Sequence, residues 1–519
     1  MFIDARGIPQ DQEIEADLCI VGAGAAGITL ARELSGSALR VVLLESGGHA
    51  LEKATQTLNA GLNVGLPYYP LESSRLRFLG GTTNHWAGES RPLDPLDFEA
   101  RDWMPNSGWP FERETLDPYY ERAQSVCGLG PFDYRRDRWT TASTPPATFP
   151  EDQVVTTIFQ RNHPLRFGPT YASELEQQRN LRTYLYANAI DLEANEAGRR
   201  VDRIGVACLS GNRFRVRARS FVLALGTIET TRLLLQSGIA RAGGFGRSQP
   251  WIGRYFMEHP YVEIGELFPA SPQIGAQLIR RATQTINGTG IVRGLTFPES
   301  RLRAEKLPNF QVFFEAMETP ASAALRNLDG WRRGPLPAHF ERNLVQLIGT
   351  FDDAPPQPVA AVGERMAGVS RIRVNITFEP RPDPASRVRL GSRRDALGQP
   401  QVQLEWRVDP TQKRDLRRIA VSMGAAFARA GVGRMKLTLD ADDSGWRQPP
   451  RGSWHQLGCT RMSTDPTRGV VDPDCRVHGF ANLHLASGSV FPTVGYANPT
   501  LSIVALAIRL ADHLERGST

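Results

Sequence analysis

The sequence predicts an α/β protein of two domains. The first is built on a mostly parallel sheet and assembled from both ends of the chain, and an α+β second domain with an antiparallel sheet lies between them. Three observations predict this. An apolar run closes on Gly22, Gly24 and Gly27 and gives way to a helical pattern; residues 372–378 and 402–408 alternate apolar and polar side chains; and patterns of the first kind return in 454–514. The bounds that follow are 1–260 and 446–519 for the first domain and 261–445 for the second.

Residues 18–21 are apolar throughout, which suits a strand covered on both faces in a parallel sheet. The glycines after it stand at GxGxxG spacing, followed by small residues at Ala25 and Ala26. Such a chain can turn tightly, bring bare backbone against a pyrophosphate, and pack the next helix closely on the sheet. Leu30 and Leu34 share one face of that helix. A second apolar run, 41–44, ends in Glu45, where an acid would accept hydrogen bonds from both hydroxyls of an adenosine ribose. Together these form the dinucleotide fingerprint of a Rossmann-like domain, and they leave NAD and FAD both open.

Composition narrows the class. With 519 residues, 41% apolar and 22% charged, the chain can build two or more cores and is not expected to be disordered. The net charge of +6 comes from 61 basic and 55 acidic residues, but the only lysines are Lys53, Lys306, Lys413 and Lys436. An arginine skew of this kind reflects codon bias, and no stretch interleaves basic runs with aromatics, so nucleic acid is set aside as a partner. The first seventeen residues lack a basic start and an apolar core, and no segment reaches about eighteen uninterrupted apolar residues, so neither a signal peptide nor a membrane span is expected and the location reads as cytoplasmic. Five scattered cysteines without CxxC spacing suggest no disulfide framework and no metal site.

Gly80, Gly81, Thr82, Thr83 and Asn84 form a loop of small residues and hydroxyls, able to lie flat against a planar or phosphate-bearing ligand, and His85 and Trp86 are costly residues for a mere loop tip. Residues 181–206 read as strand, turn, strand. Residues 221–226 read as a further buried strand, with Gly226 at its junction with a helix over 228–235. In the middle region DALGQP, 395–400, is a turn signal between the two alternating strands. Leu416, Ile419, Ala420, Met423 and Phe427 keep helical spacing up to Gly431, which can end the helix. Residues 317–367, rich in Pro, Ala, Arg and Gly, read as a lid or mobile loop. Near the end, Asn498 can cap a helix that starts at Pro499 and runs to Leu514.

Taken in order, the fingerprint, GGTTNHW, FVLALGTIETTRLLL, WIGRYFMEHP at 251–260, HQLGCTRM at 455–462 and NPTLSIVALAIRLADHL resemble the glucose-methanol-choline (GMC) oxidoreductases, in particular the bacterial sugar and polyol dehydrogenase and pyranose-oxidase-like branch. The resemblance implies FAD rather than NAD, an FAD-binding domain at both ends of the chain and a substrate-binding domain between them. It implies oxidation of a CH–OH group of a sugar, polyol or glycosylated small molecule, with hydride passing to flavin N5. Oxygen, a quinone or a redox protein would take the electrons. By the same resemblance His455 is the base and Asn498 its polar partner, while Ala189, Gly226, Ser489, Pro499 and Thr500 join the glycines, Glu45 and the 80–85 loop as cofactor contacts. A neutral imidazole near its ordinary pKa of about 6.5 suits the role, since an alkoxide donates hydride far better than an alcohol. His85 matches the histidine that carries covalent flavin in some relatives, and the sequence leaves open whether it does so here. Gly458-Cys459-Thr460 replaces the common Gly-Thr, and Ser487 replaces a common Asp. His478, His484 and His513 have no comparable context. The rival readings are a lyase or decarboxylase whose flavin is not reduced by substrate, and a flavin-binding assembly subunit.

Overall fold

The computed structural model describes residues 1–140, 149, 152–161, 165–317 and 369–517. The lid or mobile loop expected at 317–367 lies, apart from residue 317, outside the described residues. The architecture is the predicted one: a mostly parallel sheet and an antiparallel sheet, each with its own apolar core.

In the first sheet the order is Phe2–Asp4, Leu181–Leu185, Val41–Leu44, Glu13–Val21, Arg213–Leu223, Val201–Ala207 and Asn188–Ala194, with Leu483–Leu485 also paired to Arg213–Leu223. All pairings are parallel except those of Val201–Ala207 with its two neighbours. Register puts four strand ends in one row: Val21 opposite Leu44, and Leu223 opposite both Val21 and Leu485. The residues that follow, Gly22, Glu45, Ala224 and Ala486, therefore emerge side by side. Ala25–Glu33 and Thr500–Arg516 pack on each other over this sheet, and Leu30 and Leu34 are buried as their spacing predicts.

The second sheet runs Gly433–Leu437, Tyr261–Pro269, Ile372–Phe378, Phe310–Ala316, Thr289–Thr296, Val155–Arg161 and Glu89–Ser90, with Thr283–Ile286 beside Thr289–Thr296; every pairing is antiparallel. Glu89–Ser90 and Val155–Arg161 thus leave the 1–260 segment to extend the other sheet. Gln412–Arg429 packs against this sheet through Leu416, Ile419, Ala420, Met423 and Phe427, and Gly431 at φ +67° closes it off.

Two expectations need correction. Residues 181–206 form three strands, Leu181–Leu185, Asn188–Ala194 and Val201–Ala207, because Tyr186 adopts φ +62° and turns the chain where apolar content alone shows no break. The alternating run at 402–408 becomes Pro400–Glu405, and its partner across the DALGQP turn is Arg387–Arg394, not Ile372–Phe378. With Gly61–Asn63 these two strands make a separate three-stranded sheet. Alternation reports a half-buried strand and carries no information about which strand it joins.

Gly27 shows how tightly the first turn is built: a Cβ there would stand 1.8 Å from the Gly22 carbonyl oxygen. Gly27→Ala is therefore expected to cost about 1–3 kcal/mol or more by overpacking against fixed backbone. Urea unfolding of the variant beside the parent protein checks this.

Candidate active site

The row of strand ends opens onto a cavity of about 580 Å³. Gly22, Gly24, Ala25, Ala26, Glu45, Gly81, Thr82, His85, Ala189, Gly226, His455, Asn498, Pro499 and Thr500 line it, so most of the residues singled out in the sequence converge on one space. Gly27, Gly80, Asn84 and Ser489 stand behind its wall. Gly27 packs on Gly22. Gly80, at φ +93°, lies against Gly168, whose nitrogen a Cβ would meet at 2.4 Å. Asn84 turns away and donates Nδ2 to the Leu79 carbonyl at 2.8 Å. Ser489 is buried in a chain of hydroxyls, 2.6 Å from Thr460 Oγ1 and 2.7 Å from Ser487 Oγ, and it is Ser487 with Gly488 that reaches the cavity.

The glycine end fits a dinucleotide. Gly24 has open space where a side chain would stand, and the nine-residue helix Ala25–Glu33 points its free N–H groups there, a setting that favours phosphate. Glu45 is buried, with Oε2 accepting from Ala23 N at 2.9 Å and Oε1 from Gly47 N at 2.9 Å and Ser46 Oγ at 3.2 Å. One lone pair on Oε2 is spare for a ribose hydroxyl, and a second becomes free on Oε1 when the Ser46 hydroxyl rotates.

Along the same wall lies an ion network that sequence reasoning missed. Glu229 sits 2.5 Å from Arg77, 3.2 Å from Arg75 and 3.4 Å from Arg232, which in turn reaches Asp395 at 2.6 Å. Burial alone would raise the Glu229 carboxyl, but Arg77, Arg232 and Arg75 outweigh it and hold it at about 2. Arg75 is buried, and among the described residues its Nε and Nη1 have no partner. In an arginine-rich chain nothing marks these three in advance.

The same cavity is lined by His455. Its backbone N–H donates to Glu258 Oε1 at 2.7 Å, the same oxygen that accepts from His259 N at 2.9 Å, while Tyr68 donates its hydroxyl to Glu258 Oε2 at 2.7 Å. The two imidazoles meet Nδ1 to Nδ1 at 2.9 Å, edge to face, and His259 Nε2 lies 3.1 Å from the Val494 carbonyl. Burial drives both rings toward the neutral form: His259 falls to about 4, and His455 drops well below its usual value through burial and the neighbouring His259. Glu258 is pushed up to about 7 by burial, against the pull of the Tyr68 hydroxyl and of backbone N–H groups. The only sequence signal for Glu258 and His259 is their adjacency in the MEHP run.

Asn498 is not a helix cap. Its Nδ2 donates to the Glu89 carbonyl at 3.0 Å, and the helix Thr500–Arg516 takes Pro499 as its N-cap, which leaves Asn498 one residue too early to reach the helical N–H groups. Trp454, half-exposed at φ +60°, stacks on Tyr69 at 4.2 Å between centroids and lines the cavity beside His455. His85 is exposed at the loop end, and burial followed by the Arg166 charge lowers its pKa. His478 Nε2 lies 2.9 Å from the Ser463 carbonyl, and neither it nor His484 or His513 lines the cavity. All five cysteines are buried. Among the described residues no cluster of His, Cys, Asp or Glu is arranged to hold a metal ion, and no helix is long and apolar enough to cross a membrane.

Comparison with known proteins bears on the site as a whole. A family model described as GMC oxidoreductase matches residues 382–507, and one described as FAD dependent oxidoreductase matches residues 17–242. Paromamine 6'-oxidase of Streptomyces fradiae is 24% identical over 97% of this chain and 92% of its own length. The fructose dehydrogenase large subunit of Gluconobacter japonicus is 23% identical over 97% of this chain and 98% of its own. Among solved structures, pyridoxine 4-oxidase from Mesorbium loti superimposes with a TM-score of 0.59 at 17% identity, covering 96% of this chain and 98% of that one, which shows a shared fold.

Glu45→Ala removes the acceptor facing the expected ribose. Apoprotein of this variant should bind FAD about 10- to 100-fold more weakly, the value of a charged hydrogen bond of about 1.5–3 kcal/mol, as equilibrium dialysis would measure.

Proposed function

The chain belongs to the GMC oxidoreductases and is FAD-dependent; from that premise we propose that it oxidises a CH–OH group of a sugar, polyol or glycosylated small molecule to the carbonyl, with His455 taking the hydroxyl proton and Asn498 holding the oxygen. The observation that carries this reading is a half-buried neutral imidazole lining the same cavity as the dinucleotide cradle.

Bound FAD supplies the two-electron acceptor for the hydrogen that leaves carbon. Everything else falls to the chain. His455 is the base because burial keeps its ring unprotonated across the neutral range. Asn498 gives one amide hydrogen to Glu89 and keeps the second for the substrate oxygen. Trp454 offers one face to the cavity while Tyr69, tied through its hydroxyl to the Gly452 carbonyl at 3.0 Å, supports the other. A flat aromatic of this kind suits the apolar C–H face of a sugar ring. The sugar class draws support from the relatives named for paromamine and fructose. One of them is called an oxidase and the other a dehydrogenase, so oxygen, a quinone or a redox protein are the candidate acceptors. A covalent link through His85 is part of the reading, supported by a neutral, exposed imidazole on the cavity wall.

His455→Ala should slow anaerobic flavin reduction by a candidate alcohol by about 10²–10⁴-fold, read in stopped flow. The pH dependence has a definite sign: protonation disables the base, and its pKa is lowered, so the reduction rate should stay level as pH falls through about 6.5 and decline only below it. A midpoint at or above that pH would contradict the neutral buried ring. Acid-precipitated holoprotein should keep its yellow colour in the pellet, and His85→Ala should release it into the supernatant.

A further inference from the structure

The contacts around His455 determine where its proton sits. A backbone carbonyl can only accept, so the 3.1 Å contact to Val494 requires His259 to carry its hydrogen on Nε2. His259 is buried on all sides and neutral, which leaves a bare lone pair on its Nδ1. That lone pair faces His455 Nδ1 at 2.9 Å, and two lone pairs at this distance would repel. The hydrogen between them must therefore belong to His455. Among the described residues nothing is hydrogen-bonded to His455 Nε2, and the ring lines the cavity.

We infer that His259 is a positioning residue, which as a fixed acceptor locks the proton of His455 on Nδ1 and so presents a bare Nε2 to the substrate hydroxyl. In water a neutral histidine side chain prefers the opposite tautomer, with Nε2 protonated and unable to act as a base. Which nitrogen is free is set by the bond the other one makes. Glu258 does not take this part, although its carboxyl accepts from the His455 backbone: its Oε1 is occupied by the backbone N–H groups of His259 and His455 and its Oε2 by Tyr68. It fixes the spacing of the two imidazoles, and His259 fixes the proton. When His455 accepts the substrate proton it keeps the Nδ1–H bond to His259, so the charged form is stabilised by a neutral acceptor and not by a buried ion pair. The chain of bonds ends on Val494, in the same loop as Asn498, which refers base and oxygen-holding amide to one piece of backbone.

This inference rests on His455 being the base, but its test separates the two. Holoenzyme labelled with [15N]histidine, with His455→Ala used to assign one of its nine side chains, reports the tautomer directly through the nitrogen shifts. The expected result is a protonated Nδ1 and a bare Nε2 at His455. In His259→Leu, which cannot accept, the proton should move to Nε2 and flavin reduction should slow by about tenfold or more. In His259→Asn, whose amide oxygen can accept, tautomer and rate should largely be restored. A wild-type spectrum with the proton on Nε2 overturns the inference, as does His259→Leu with its tautomer unchanged. If the tautomer behaves as expected while His455→Ala reduces flavin normally, His259 still positions the ring and the base assignment falls.

Discussion

The constraint on which the rest depends is one row of backbone pairing, in which Val21, Leu44, Leu223 and Leu485 end four parallel strands at the same level. About half the chain separates Leu223 from Leu485. Their pairing nevertheless sets the C-terminal segment beside the N-terminal fingerprint. The crevice beyond the carboxyl ends of such strands is where ligands bind in open α/β sheets. Here Gly22, Glu45, Ala224 and Ala486 are delivered to it together. Without that row the glycine loop would face a disordered edge, and His455 would have no fixed relation to it.

Two clusters of side chains about the cavity solve opposite electrostatic problems. At one, three arginines surround a single buried carboxylate, with Asp395 as a further anion, so a cationic surplus faces the interior. At the other, burial strips charge from His259 and His455 and weakens the acidity of Glu258. Desolvation disfavours whichever form is charged, so the same low-dielectric wall that keeps the imidazoles neutral makes the arginine cluster attractive to anions.

Much of this was legible in the residues. The apolar runs at 18–21 and 41–44, three glycines and one acid were sufficient for the cradle, because each is required by backbone geometry that few other residues can adopt. His455 and Asn498 came from motif resemblance, and the cavity holds both. Less was legible where contacts join residues far apart in sequence: Tyr68, Glu258 and His455 share one carboxylate but no periodicity links them. The cap expected of Asn498 failed because the proline after it took the cap position itself. Ser489 was displaced by Ser487, since a run of small hydroxyls shows no inside or outside until its hydrogen bonds are known. The strand at 400–405 was readable as a strand and unreadable as to partner.

The buried thiols acquire a meaning in this setting. If oxygen takes the electrons, every turnover makes hydrogen peroxide inside the protein that has to survive it. Sulfur is oxidised as thiolate far more readily than as thiol. Burial pushes Cys127, Cys459 and Cys475 up to about 12 and Cys208 up to about 11, and raises Cys19 as well. At neutral pH almost none of this sulfur is ionised, so the chain offers little nucleophilic fuel to its own by-product.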